Sequence, residues 1–202
     1  MTQHDLFGDM FAPSPDTEGS QLLDLSPRQT CFFALRPSAA DAARLDAQIE
    51  SLLAAHGVKR KRVAFERLHI TLEPIGNDED LARVEAACRA ADTIRMPPIA
   101  ICLDAAMSYR GSDAFVLRGA DGAAGLSGIR ALRTALGCAL ADRGFRPSPK
   151  YDPHMTLSYD PRQRVDPVAV EPISFQAAEF ALVKSHVGLT RHEVLRTWPL
   201  AG

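Results

Sequence analysis

Two short segments of this 202-residue chain share one design, and together they restrict the folds open to it. "LHITL" (Leu68–Leu72) and "HMTL" (His154–Leu157) both alternate apolar and polar residues. Side chains alternate faces along a strand, so each segment turns Leu, Ile or Met toward a core and a His–Thr pair away from it. Six histidines and nine threonines in 202 residues would yield roughly 0.3 H-x-T spacings by accident. Two copies, each with apolar residues after the His and after the Thr, call for a fold that brings two such strands to one place.

The remaining periodicities describe that fold. "TCFFAL" (Thr30–Leu35) is β-rich and ends before Pro37. A helix follows, with Ser38 as N-cap, Leu45, Ile49, Leu52 and Leu53 at helical spacing, and Gly57 as its stop. The first motif strand ends at Pro74 and Gly76, and Asn77 or Asp78 caps a second helix. Two strands joined by a turn at residues 110–113 precede a third helix closed by Gly144. After the second motif strand come two or three more strands, the last at "HEVLRTWPL". Strands interleaved with only three helices, several of them hairpin-linked, predict an α+β fold with mostly antiparallel sheets. A helix leads into an H-x-T strand in each half, which predicts two pseudo-symmetric lobes around a central cleft with the helices outside. Residues 28–202 form this domain. Residues 1–27, rich in Pro, Ser, Asp and Gly without sustained period, read as a flexible arm.

A formal net charge of −2 excludes a general nucleic-acid coat protein and confines any nucleic-acid contact to local patches. The densest basic run is Lys59–Arg62, which either steers an RNA backbone or forms a solvated turn. The four cysteines lack C-x-x-C spacing and read as reduced thiols. There is no apolar run of roughly 18 residues and no secretory signal pattern, so the expected location is cytoplasmic, with no membrane contact.

Histidine titrates near neutrality, so one imidazole of a facing pair can accept a proton while the other donates one. Set either side of a phosphodiester, His69 and His154 would drive attack by water and protonate the departing oxygen. Thr71 and Thr156 would hydrogen-bond the non-bridging phosphate oxygens. Two satisfied core histidines are the plain alternative. A metal site lacks a third ligand in the sequence, so no metal or cofactor is expected.

On these motifs, with "FFALRP" before them and the closing "FALVKSHVGLTRHEVLRTWPL", the chain resembles the 2H phosphoesterase superfamily from about Gln29 to Leu200. Within it, the chain looks like the RNA 2′,3′-cyclic phosphodiesterases, also called 2′-5′ RNA ligases. The resemblance implies metal-independent opening of RNA 2′,3′-cyclic phosphate ends to 2′-phosphates, with minor reverse 2′-5′ ligation; a monomer is expected. It also implies His69 as the acid and His154 as the base, although the residues themselves leave the two roles open. Many relatives carry arginine three residues after the second motif threonine, where this chain has Tyr159. Lys150 and Lys184 are candidate replacements for that charge. Phe33, or its neighbour Phe32, is a candidate to stack on a base. His186 and His192 lack the Thr and read as structural or surface residues. In the arm, Gln3, Leu6 and Phe7 of "QHDLF" resemble a pentapeptide that docks on the DNA sliding clamp. Two rival readings are a small cyclic nucleotide or ADP-ribose cyclic phosphate as substrate, and a non-catalytic RNA-binding module.

Overall fold

A computed structural model describes residues 29–77, 80–109, 112–120, 124–160, 163–186 and 188–201. The arm and its Gln3–Phe7 pentapeptide lie outside the described residues. The strands are β1 (Gln29–Leu35), β2 (Ile70–Asn77), β3 (Ile99–Ser108), β4 (Ala114–Arg118), β5 (His154–Tyr159), β6 (Val168–Ala177), β7 (Glu179–His186) and β8 (Arg191–Pro199). The helices are α1 (Ala42–Ala55), α2 (Leu81–Ala91) and α3 (Ser127–Ala141). This is the α+β fold that the sequence predicts, with three strands after the second motif.

The eight strands form one sheet in the order β6-β3-β4-β5-β2-β1-β7-β8, and every pairing is antiparallel. The order is palindromic in kind: each motif strand is flanked by three others, and β2 and β5 meet in the middle. Among the described residues, β2 and β5 share one laddered pair, Ile70 opposite Met155. The expected lobes are thus two half-sheets joined at a narrow seam. Side chains carry much of the connection across it. Glu73 of β2 pairs with Arg133 of α3 at 2.9 Å and accepts the Ser148 N–H at 3.0 Å, while the Tyr151 hydroxyl donates to the Thr71 carbonyl at 2.9 Å.

One face of the sheet is covered by the helices. Leu45, Ile49 and Leu53 of α1 and Ile129, Leu132, Leu136 and Leu140 of α3 present apolar stripes at helical spacing. They pack on Phe33, Leu35, Ile70, Leu72, Leu117, Met155, Leu157 and Leu182 of the strands. Full burial of each large side chain contributes about 1.5–3 kcal/mol. Gly57, at φ +67°, ends α1 in a conformation that side chains with a Cβ resist. Two caps differ from expectation. Ser38 bonds the Asp41 side chain and starts a single 3-10 turn, so α1 begins after Asp41. The cap of α2 is Asp80, whose carboxylate accepts the Arg83 N–H at 2.9 Å; Asn77 belongs to β2 and Asp78 lies outside the described residues. The opposite face of the sheet holds the candidate site.

Candidate active site

The alternation read from the sequence holds at both motifs. Leu68, Ile70 and Leu72 are buried, as are Met155 and Leu157, while His69, Thr71, His154 and Thr156 are partly exposed. Extending the Ile70–Met155 register by one residue sets His69 opposite Thr156 and Thr71 opposite His154. The shared pair between Ile70 and Met155 brings the four side chains to one side of the seam. Thr71 and His154 also line a common cavity of about 50 Å³ with Tyr109, Lys150, Tyr151 and Asp152.

Both imidazoles are anchored in the same way. His69 Nδ1 lies 2.6 Å from the Arg67 carbonyl, and His154 Nδ1 lies 2.8 Å from the Asp152 carbonyl. A carbonyl only accepts, so Nδ1 carries the proton and donates in each. The neutral ring is then left with its lone pair on Nε2, away from the backbone.

Their surroundings differ. His69 stands in a triangle of rings with Phe32 and His192, at centroid distances of 4.9 Å and 5.1 Å, and Phe32 to His192 is 5.6 Å. Burial, then the charges of His154, Arg36 and Arg67, pull the His69 pKa down to about 4, against the opposing bond to the Arg67 carbonyl. His192 is lowered to about 3 by burial and by His69, Arg67 and Arg36. Around His154, Tyr109 packs edge-on at 4.9 Å and donates its hydroxyl to Asp152 at 2.7 Å, and Arg118 lies 3.4 Å from the same carboxylate. Arg118 is the cross-strand partner of His154. Burial lowers His154 too, but Asp152 works in the opposite direction, through its carbonyl and its carboxylate.

The candidate contacts sort unevenly. Phe33 is fully buried against the helices, beside Phe180 and Trp198, so it does not line the cleft; Phe32 does. Sheet alternation let only one of the two face the site, and the helices took Phe33. Lys184 also falls on the wrong side. It pairs with Cys31, which shares the core face with Phe33, while Phe32 pairs with Val183 on the site face. Lys150 is on the cavity rim. Tyr159 is reached through a bulge: Val116 opposes Thr156 and Ala114 opposes Tyr159, with Leu157 as the extra residue. That insertion returns Tyr159 to the face of Thr156, where it is 54% exposed. Arg118, Tyr109, Arg36 and His192 escaped sequence reasoning because each comes from a strand or turn distant in sequence. His192 sits on the closing "TRHEV" run, a signal that the missing Thr concealed.

Among the described residues no group of three or more His, Cys, Asp or Glu side chains is placed to hold a metal ion, and no helix is long and apolar enough to cross a membrane.

Comparison with known proteins agrees with this fold. Apo LigT of E. coli is 27% identical, with a TM-score of 0.66, over 88% of this chain and 100% of its own. A structure described as a phosphoesterase is 27% identical, with a TM-score of 0.68, over 87% and 99%. A protein of Thermus thermophilus, 21% identical with a TM-score of 0.61 over 86% and 98%, shares the fold. No curated protein matched the chain. The family model of the 2′-5′ RNA ligase superfamily matches residues 32–189, a span that takes in both H-x-T strands and the seam between them. The chain belongs to the 2′-5′ RNA ligase superfamily, the 2H phosphoesterases.

Proposed function

We propose that this phosphoesterase opens 2′,3′-cyclic phosphates at RNA ends, without a metal ion, leaving a 2′-phosphate. The observation that supports the reading best is the pair of Nδ1-anchored imidazoles, each with a threonine two residues on, on one open sheet face across one seam. Water attacks phosphorus and gives its proton to one imidazole Nε2. The bond from phosphorus to O3′ breaks, and the other imidazole protonates O3′. Thr71 and Thr156 donate to the non-bridging oxygens, and Arg118 adds positive charge beside His154. Phe32 and His192 offer ring surface to the terminal base. With a 5′-hydroxyl in place of water, the same steps join a cyclic phosphate to that hydroxyl as a 2′-5′ bond, O3′ again leaving and taking the proton. E. coli LigT has been crystallised with 3′-AMP and with phosphate, ligands of the kind this cleft would hold.

In the acid role that the resemblance implies, His69 must carry a proton when substrate is bound. The anionic cyclic phosphate supplies the opposite charge that raises its pKa. The test is hydrolysis of an RNA ending in 2′,3′-cyclic phosphate, in excess EDTA, by the wild type and by His69→Ala and His154→Ala. Turnover that survives EDTA and falls about 10²-fold or more in each variant is expected. Loss of wild-type turnover in EDTA would replace this mechanism with a metal-assisted one.

A further inference from the structure

The basic run Lys59–Arg62 has no part in the chemistry above, yet it is held with care. Arg62 bridges to Ser158 of β5, and the Val63 N–H donates to the Leu157 carbonyl at 2.7 Å. The Ser158 hydroxyl, fully buried, reaches the Arg60 and Lys61 carbonyls at 3.4 and 3.3 Å. The Lys59 N–H donates to the buried Asp160 carboxylate at 3.2 Å. A merely solvated turn needs none of this. One edge of β5 is taken by β4, so the segment lies along the other edge, which β2 leaves after the Ile70–Met155 pair. It therefore continues the seam outward from the two histidines. Three residues of strand separate Met155 from Ser158, roughly 10 Å.

The side chains divide in a telling way. Arg62 turns to α1 and is neutralised by Asp46 at 2.7 and 2.9 Å. Lys59, Arg60 and Lys61 are exposed and make no side-chain ion pair among the described residues. Beside them stands Tyr159, exposed and on the site face. Exposed cations on an anchored backbone, next to an exposed aromatic ring, are what a single-stranded nucleic acid binds, through its phosphates and one stacked base.

We infer that Lys59–Lys61 and Tyr159 form a docking strip for the RNA strand leading to the reactive end, so that the protein prefers oligonucleotide to mononucleotide substrates. This rests on the proposed function for the RNA's orientation but has its own readout.

The test is binding of a fluorescent single-stranded oligoribonucleotide with a 3′-phosphate, followed by anisotropy across a salt series. Three phosphate contacts predict a slope of log K on log salt of about −2 for the wild type. K59Q/R60Q/K61Q should flatten that slope toward zero. Tyr159→Ala should keep the slope while weakening binding about tenfold. In turnover, the ratio of kcat/KM for an oligonucleotide cyclic phosphate to that for a nucleoside cyclic phosphate should fall at least about tenfold in the triple variant. An unchanged slope and ratio in the triple variant, or equal losses on both substrates, would overturn the strip. Salt-dependent RNA binding by a wild type that hydrolyses neither substrate would keep the strip and remove the proposed function. Hydrolysis of both substrates with no preference for the longer one would do the reverse.

Discussion

The half-site on β2 and the half-site on β5 are built on the same backbone plan and filled differently. In each, a histidine at the head of a strand donates Nδ1–H to the carbonyl two residues before it. Around His69 the neighbours are rings and guanidinium groups; around His154 they are a carboxylate, a phenol and one arginine. The repeated strand motif fixes where the imidazoles stand and which nitrogen faces the cleft. The neighbours, drawn from β1 and β8 on one side and from β4 and the residue after β3 on the other, set how readily each holds a proton. Symmetry places the pair; asymmetry divides the labour.

The sharpest break in this comparison is between two adjacent residues. Phe33→Ala should cost about 3–5 kcal/mol of stability in denaturant unfolding, because Phe33 is core. Phe32→Ala should leave the core intact and act on substrate binding. A similar stability loss in both would mean that the site face is as tightly packed as the helix face. Next in size are the histidines, for which removing both should cost little more than removing one, since they act as a unit. Full additivity in single-turnover rates would show two independent half-sites instead.

Smaller effects probe the electrostatic difference. Asp152→Asn removes a charge that raises the His154 pKa, so its protonation midpoint should move further down when followed by imidazole NMR. Loss of the Arg36 charge should move the His69 midpoint upward. The profile of kcat/KM reports the free enzyme, so a limb near pH 4 belongs to His69. If His69 is the acid, kcat/KM falls as pH rises through that limb, and kcat falls only at higher pH, where the complex has raised the pKa. If His69 is the base, kcat/KM rises through the same limb. The smallest change is expected of His192→Phe. His192, lowered to about 3, is already neutral where His69 titrates, so the His69 midpoint should stay where it is.

The motif strands were legible because alternation is local. Six consecutive residues suffice to show which side chains share a face, and the helical stripes of α1 and α3 are equally local. The choice between Phe32 and Phe33 was not, because it depends on which side of the sheet the helices cover. Lys184 failed for the same reason: its face follows from pairing with Cys31, more than a hundred positions away. Arg118 and Tyr109 reach His154 through the pairing of β4 with β5 and of β3 with β4, and no spacing in the chain announces those registers. Tyr159 was a different case, since a departure noticed in sequence became interpretable only with the bulge that turns it to the site face.

The narrow seam has a consequence for how such a protein changes over generations. Paired strands hold their spacing at roughly 4.8 Å whatever side chains they carry. Among the described residues β2 and β5 share a single laddered pair, Ile70 with Met155, and Glu73, Arg133 and Tyr151 span much of the rest. Past that pair, the opening between the two half-sites depends on replaceable side chains more than on a backbone ladder. A lineage can widen or narrow its cleft, and with it the range of phosphoesters that fit, while every strand stays in place.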